Sequence, residues 1–479
     1  MIYCMFFQQL ANWMLAGAVA LGMLGFPASR AEPFTTWPMS AHWPAATDGV
    51  HLHEATVTLP TYPYEEYQTA AFDPRYNWPY QQFDYERFRT DAPKPTPRTY
   101  RTFILENEYL QITLLPELGG RIWRVIDKAS GNDLFYHNEV VKPTPWGPPE
   151  MLGWINLGGL EWGLPVVEHG YTWGVPWDIT VEQAGSDAAT VILNLPDNGQ
   201  DLTATVRVTL RAGEAGFTVA PTVINLTDKP VRFAYWQNAA LAPGQANKPS
   251  AETRFVLPTA HVTVHSTDDN TLPATGHSMS WSRYAGRDLS RLGNWRGYLG
   301  FFERPAAHGP FVAVYDAAQD AGIVRVYPAA TARGSKVFGL GWSKALDSSL
   351  YTDDGSAYVE LHAGLAPTFS DQVTLGPGES VGWHETWQPL RNIGGVRAAN
   401  ATGAFNWTQA GNRLQIAFQP WRRFAGMLVI TENGVEVERR PIVATPDAPW
   451  SATITLPEGA DAVSIALQNI SGSTLIESR

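Results

Sequence analysis

The chain has 479 residues and a formal net charge of −12, with 17% charged residues against 44% hydrophobic ones. An acidic surface repels phosphate backbones and argues against a nucleic-acid partner, and the apolar fraction argues against a disordered chain. What composition leaves to explain is the aromatic content: 19 Trp, 18 Tyr and 20 Phe.

Residues 14–26 (MLAGAVALGMLGF) form an apolar run, followed by Ala28-Ser29-Arg30-Ala31. The run is shorter than the roughly 20 residues that span a bilayer. An apolar stretch ahead of small residues is the pattern of a secretory leader. Residues 1–31 are therefore expected to be a signal peptide cleaved after Ala31, leaving a secreted or periplasmic protein without a membrane segment. Cleavage removes Cys4, the one cysteine, and with it thiolate and disulfide chemistry.

Residues 32–98, rich in Pro and Tyr, predict an arm across a larger body, with one strand at 51–59. From 99 to 391 short alternating segments recur between Gly, Asn and Asp turns, as at 109–115, 121–127, 203–210, 217–225, 231–236, 311–315 and 358–363. Such spacing predicts an all-β, two-sheet sandwich. Asn392-Ile-Gly-Gly395 reads as a boundary, and 396–479 as a small accessory β-sandwich.

No phosphate-cradling glycine loop, H-E-x-x-H or G-x-S-x-G is present, so no cofactor is expected. The concentrated feature is 146–178, WGPPEMLGWINLGGLEWGLPVVEHGYTWGVPWD. Indole faces stack on the C–H faces of pyranose rings while carboxylates accept from sugar hydroxyls. Trp162, Glu168, Trp173 and Trp177 are accordingly candidates to line a carbohydrate cleft, with Glu161 and His169 as chemical groups. By strand alternation Tyr358, Glu360 and His362 share one face, and Glu385 shares a face with Trp383 and Trp387. Glu360 joins Glu161 as a catalytic candidate; Trp236, His265, Tyr358, His362 and Glu385 join the binding set. His261-x-x-x-His265 lacks an evident third ligand, so no metal is expected.

Glu106–Tyr136, with its Pro-Glu-Leu-Gly-Gly turn at 116–120, resembles the first hairpins of galactose-mutarotase-like proteins. His169-Gly170-Tyr171, with Trp177 beyond, is similar to a segment of their aldose 1-epimerase-like members. Phe217–Trp236 and the Thr374-Leu-Gly-Pro-Gly-Glu-Ser hairpin match further parts of the pattern in the same order. The resemblance covers about 100–390 and lies closest to a branch of uncharacterised function. It implies a β-supersandwich and a sugar ligand. Two departures matter. Trp173 stands where hexose-phosphate epimerases have Arg, which speaks against a phosphorylated sugar. Ala234–Leu241 has no His where the epimerases have their second one.

Together these features predict a secreted carbohydrate-active protein. The leading reading is a glycoside hydrolase acting on a neutral glycan, with Glu161 and Glu360 as paired carboxylates. An epimerase using His169 and Glu360 is the first alternative, and a non-catalytic glycan-binding protein the second.

Overall fold

The computed structural model describes residues 49–148, 150–304, 307, 309–459 and 463–478, all within one unit, Asp48–Arg479. The leader expected at 1–31 lies outside the described residues. Antiparallel strands dominate, as the turn spacing predicts. The longest helix among the described residues is Tyr85–Asp91, started by Asp84, whose side chain accepts from the Arg87 backbone N–H.

Two large sheets form the body, one of 12 strands and one of nine. Across the larger sheet the order runs from His51–Thr61 and Thr96–Glu106 through Leu110–Leu115, Arg121–Asp127, Gly159–Gly163, Trp236–Leu241, Val359–Gly364, Gly334–Gly339 and Leu299–Arg304. It ends on His261–Thr267 and Ser278–Ser280. The 32–98 region is more regular than its proline content suggests. It supplies the sheet-edge strand His51–Thr61, a hairpin of Gln68–Asp73 with Trp78–Phe83, and the helix. The single strand expected at 231–236 is two. Val231–Phe233 pairs with Val373–Leu375, whereas Trp236–Leu241 enters the large sheet.

The sheets close on a shared hydrophobic core, in which Phe135 meets Phe217 and Trp387 edge-on at 6.4 and 5.9 Å between centroids. Among the residues expected in a sugar cleft, Trp162 and Glu385 lie in this core. Trp162 is fully buried, its indole N–H donating to the Gly120 carbonyl at 2.8 Å. Glu385 is the charge at its centre. Arg325 donates to it at 2.7 Å, Trp383 and Trp387 at 3.0 and 2.8 Å, and Gln237 reaches it from the opposite sheet. Pleating explains both corrections: Trp162 follows Glu161 and Gln237 precedes Asn238 on strands whose neighbouring side chains point to opposite faces. The face carrying Glu161 and Asn238 is the one away from the core.

Residues beyond Val396 form two four-stranded sheets around a core of Phe405, Ile416, Phe418, Leu428, Ile430, Ile465 and Leu467. This sandwich meets the body through Arg391, which pairs with Asp127 and donates to the Pro446 carbonyl.

The Arg325–Glu385 pair has no exposed side-chain surface. Removing one partner leaves the other charge buried and unpaired, which costs about 3–5 kcal/mol. Urea denaturation of Arg325→Met is expected to show a loss of that size. The double variant Arg325→Met/Glu385→Leu is expected to recover much of it.

Candidate functional site

Strand register builds the site. Glu161 lies opposite Asn238, Asn238 opposite His362, His362 opposite Lys336, and Lys336 opposite Phe302. Directly paired residues share a face, so these five side chains form a row across five adjacent strands. Glu360 and Trp236 stand two residues from His362 and Asn238 and therefore on the same side. Trp236 lies flat over Gly364, where any β-carbon would strike its ring.

The loop between Gly163 and Asp178 adds two neighbours that reach apart. His169 stacks on Trp154, ring centroids 3.8 Å apart at 17°, and its Nδ1 lies 2.7 Å from Glu161 Oε1. Glu168 instead faces His265 Nε2 at 3.4 Å. Glu168 holds φ 59°, a left-handed conformation that costs a non-glycine residue about 1–2 kcal/mol. Gly170 also takes φ 59°, where a β-carbon would collide with Leu164. The turn is thus built around presenting consecutive residues to different partners.

Every charge in the cluster has a counterpart. Glu161 accepts from the Trp154 indole N–H at 3.0 and 3.2 Å and faces Arg121 at 3.3 Å. Glu360 Oε1 faces the Asn238 amide at 3.2 Å, and its Oε2 lies 2.8 Å from His362 Nε2. Lys336 Nζ approaches that same imidazole nitrogen at 3.3 Å. Phe369, half-buried, covers the centre: its ring lies 4.7 Å from Trp236, 5.0 Å from His265 and Phe302, and 5.8 Å from His362, and Lys336 Nζ sits 4.7 Å from its centroid. The His169 and His362 rings are 6.2 Å apart.

Three buried polar atoms on this face have no protein partner: Trp236 Nε1, Asn238 Oδ1 and His362 Nδ1. Buried polar groups are ordinarily paired, so these three atoms keep hydrogen-bonding capacity that no protein group uses. Among the described residues no three His, Asp, Glu or Cys side chains converge as metal ligands do.

Electrostatics sort the titratable groups. Burial pushes the Glu360 carboxyl up, but His362, Lys336 and His169 outweigh it and hold it down at about 2. Glu168 is held at about 2 in the same way, against burial, by His265, Lys336 and His169. Burial and then Lys336 bring His265 and His362 down to about 4, against the pull of their carboxylates. Lys336 is itself lowered by burial, opposed by Glu360 and Glu168. The site at neutral pH therefore presents carboxylate anions beside the neutral imidazoles of His265 and His362.

Of the residues expected from sequence, Glu161, Glu168, His169, Trp236, His265, Glu360 and His362 are brought together. Tyr358, packed on Tyr136 at 5.0 Å, stands beside Glu360. Trp173 and Trp177 are not lining groups. Both are core residues at the Gly119-Gly120 turn, the Trp173 carbonyl accepting from Arg121 and the Trp177 ring lying on Gly120. Sequence reasoning missed Arg121, Trp154, Asn238, Lys336, Phe302 and Phe369. Lys336 carried a signal, since it is the sole charge in the glycine-bounded run Gly334-Ser-Lys-Val-Phe-Gly339.

Fold and site define a β-supersandwich protein with an acid–base cluster on the outer face of its larger sheet. Residues 74–390 match the family described as "Domain of unknown function (DUF5107)", and the chain belongs to that family. A TPR-domain containing protein from Parabacteroides distasonis ATCC 8503 superposes with a TM-score of 0.59 at 22% identity, over 72% of this chain and 56% of that one. This chain thus spans little more than half the length of that relative, and the likeness is one of fold. Galactose mutarotase-like proteins from Clostridium acetobutylicum (TM-score 0.44, 12% identity, 61% of this chain and 96% of that one) and Lactobacillus casei ATCC 334 (0.41, 12%, 60% and 99%) also match.

Lowered histidines make stability pH-dependent with a definite sign. Between the ordinary value near 6.5 and about 4, the unfolded chain protonates His265 and His362 while the folded chain does not. Stability therefore falls as pH drops through that window. Denaturant midpoints measured from pH 7 to 4 are expected to decline, and His362→Gln is expected to flatten the decline.

Proposed function

We propose that this protein binds a neutral sugar on the outer face of its larger sheet and exchanges protons at the sugar's anomeric centre, as an aldose 1-epimerase-type enzyme. The observation that supports this reading is the gathering of two imidazoles, His169 and His362, each paired with a carboxylate, around polar atoms that lack partners. Replacing buried ion pairs with apolar residues is often neutral or stabilising, so packing alone gives no reason to keep such a cluster. Clustered perturbed groups of this kind mark functional sites.

Paired-carboxylate glycoside cleavage fits the same geometry less well. It needs one carboxyl that carries a proton at the working pH. Glu360 and Glu168 are held as anions, and Glu161 is surrounded by the Trp154 and Arg121 N–H donors and His169. Imidazoles supply the missing function, since one ring carries two nitrogens that can accept or donate a proton. With Nδ1–H donating to Glu161, His169 has Nε2 available to a substrate. Opening the ring then needs one group to take the O1 proton as C1–O5 breaks and another to protonate O5. Rotation about C1–C2 and reversal of both transfers gives the other anomer, with atoms and charge balanced. His169 is one of these groups, and the Glu360–His362 pair supplies the other. Carboxylates at 161, 168 and 360 disfavour anionic sugars, and the 1–31 leader suggests that the reaction takes place outside the cytoplasm.

Anomeric proton signals of freshly dissolved α-D-glucose, α-D-galactose and D-xylose, followed by NMR at pH 7, test the reading. Faster anomer equilibration is expected for at least one of them, and His169→Gln is expected to reduce it by about 100-fold or more. New reducing ends from an oligosaccharide panel would instead establish hydrolysis. Ligand shifts without faster exchange would establish a binding protein.

A further inference from the structure

The second proton-transfer group can be specified further, on the basis of the proposed function. Glu360 has the chemistry of a base, yet neither oxygen is free: Oε1 faces the Asn238 amide and Oε2 faces His362. His362, by contrast, is engaged at Nε2 and has no protein partner at Nδ1, although its side chain is almost completely buried. We infer that His362 is the catalytic residue which exchanges a proton with the bound sugar through Nδ1, and that Glu360 and Lys336 act as positioning residues on its other nitrogen.

The arrangement around Nε2 makes this more than a vacant hydrogen-bonding position. An acceptor, Glu360 Oε2, and a donor, Lys336 Nζ, approach the same ring nitrogen at 2.8 and 3.3 Å. When Nε2 carries the proton it donates to Glu360, and Nδ1 is a lone-pair base. Once Nδ1 has taken a proton the ring is an imidazolium, Nε2–H still faces Glu360, and Nδ1–H is the acid. The base form and its conjugate acid therefore both keep Glu360 as partner, which is what a group that takes and returns a proton requires. Burial, Lys336 and His169 keep the ring neutral against Glu360. Glu168 and His265, paired with each other, are the remaining titratable groups around Lys336.

Geometry relative to His169 agrees. The two rings are neighbours, their centroids 6.2 Å apart, and in the proposed complex the two oxygens on one acetal carbon lie between His169 Nε2 and His362 Nδ1. In the transfer, Nδ1 of His362 takes the O1 proton while His169, entering as the imidazolium with Nδ1–H held by Glu161, protonates O5 from Nε2–H and C1–O5 breaks. The resulting imidazolium at 362 is stabilised by Glu360, and both protons return on closure. Phe369 covers His362, so the sugar reaches it past that ring, which offers an apolar surface for stacking.

Two measurements test the inference, with the aldoses named above as probes. His362→Gln is expected to lower kcat by about 100-fold or more while KM stays within about threefold. ¹⁵N NMR of the imidazoles in the unsubstituted protein is expected to show a neutral His362 at pH 7. Its Nδ1 resonance should move on titration with sugar. Lys336→Met is expected to shift the His362 titration to higher pH, an effect that a packing role for the lysine would not produce. The inference is overturned if His362→Gln keeps kcat within threefold of the parent, or if sugar moves the His169 resonances and leaves His362 Nδ1 unmoved. If no aldose equilibrates faster with the unsubstituted protein, the proposed activity falls, and the NMR titration alone decides whether His362 contacts sugar.

Discussion

Hydrogen-bond register across five adjacent strands of the larger sheet is the constraint on which the site depends. Glu161, Asn238, His362, Lys336 and Phe302 come from positions far apart in the chain, and each pairs directly with the next. Because the side-chain period of a strand is two, a slip of one residue in any strand would turn its member of the row into the hydrophobic core. Trp162, Gln237, Leu361 and Val337 lie beside members of this row and point into that core, so the apolar burial that stabilises the sheets also enforces the position of every polar group on the opposite face.

A row of buried charges survives only if each is paired. Here the pairs come from three sources: the strands themselves, which place Glu360 beside His362; the Gly163–Asp178 loop, which brings His169 to Glu161 and Glu168 to His265; and the Arg121–Asp127 strand, whose Arg121 supports Glu161. The left-handed backbone at Glu168 and Gly170 follows from this division, since two consecutive residues must reach different strands. The inter-sheet core repeats the device once, with Arg325 and Glu385. There the carboxylate accepts from Trp383, Trp387 and Gln237 inside the core.

Local patterns were legible where they depended only on neighbours. The strands Arg121–Asp127 and Phe217–Asn225 have the bounds that their alternation and flanking turns predict. The shared face of Glu360 and His362 was legible for the same reason. The break at Ala234-Tyr235 was not, because the two halves of that segment choose partners in different sheets, and partner choice is not written in local periodicity. Trp173 and Trp177 misled for a related reason: an indole near a carboxylate in sequence is equally a core side chain. Asn238 and Phe369 offered no signal, being ordinary residues made special by what they meet.

The amino-acid sequence by itself determined the all-β class and the group of titratable residues from which a site could be drawn. Those follow from composition and from periodicities of two, which each segment carries alone. Only the tertiary structure decided which carboxylates face imidazoles, that Glu385 belongs to the core, and that His362 rather than Glu360 has an unpartnered polar atom. These depend on register between strands far apart in the chain and on the side of a pleated sheet that faces the second sheet, and both are settled only when the whole core closes.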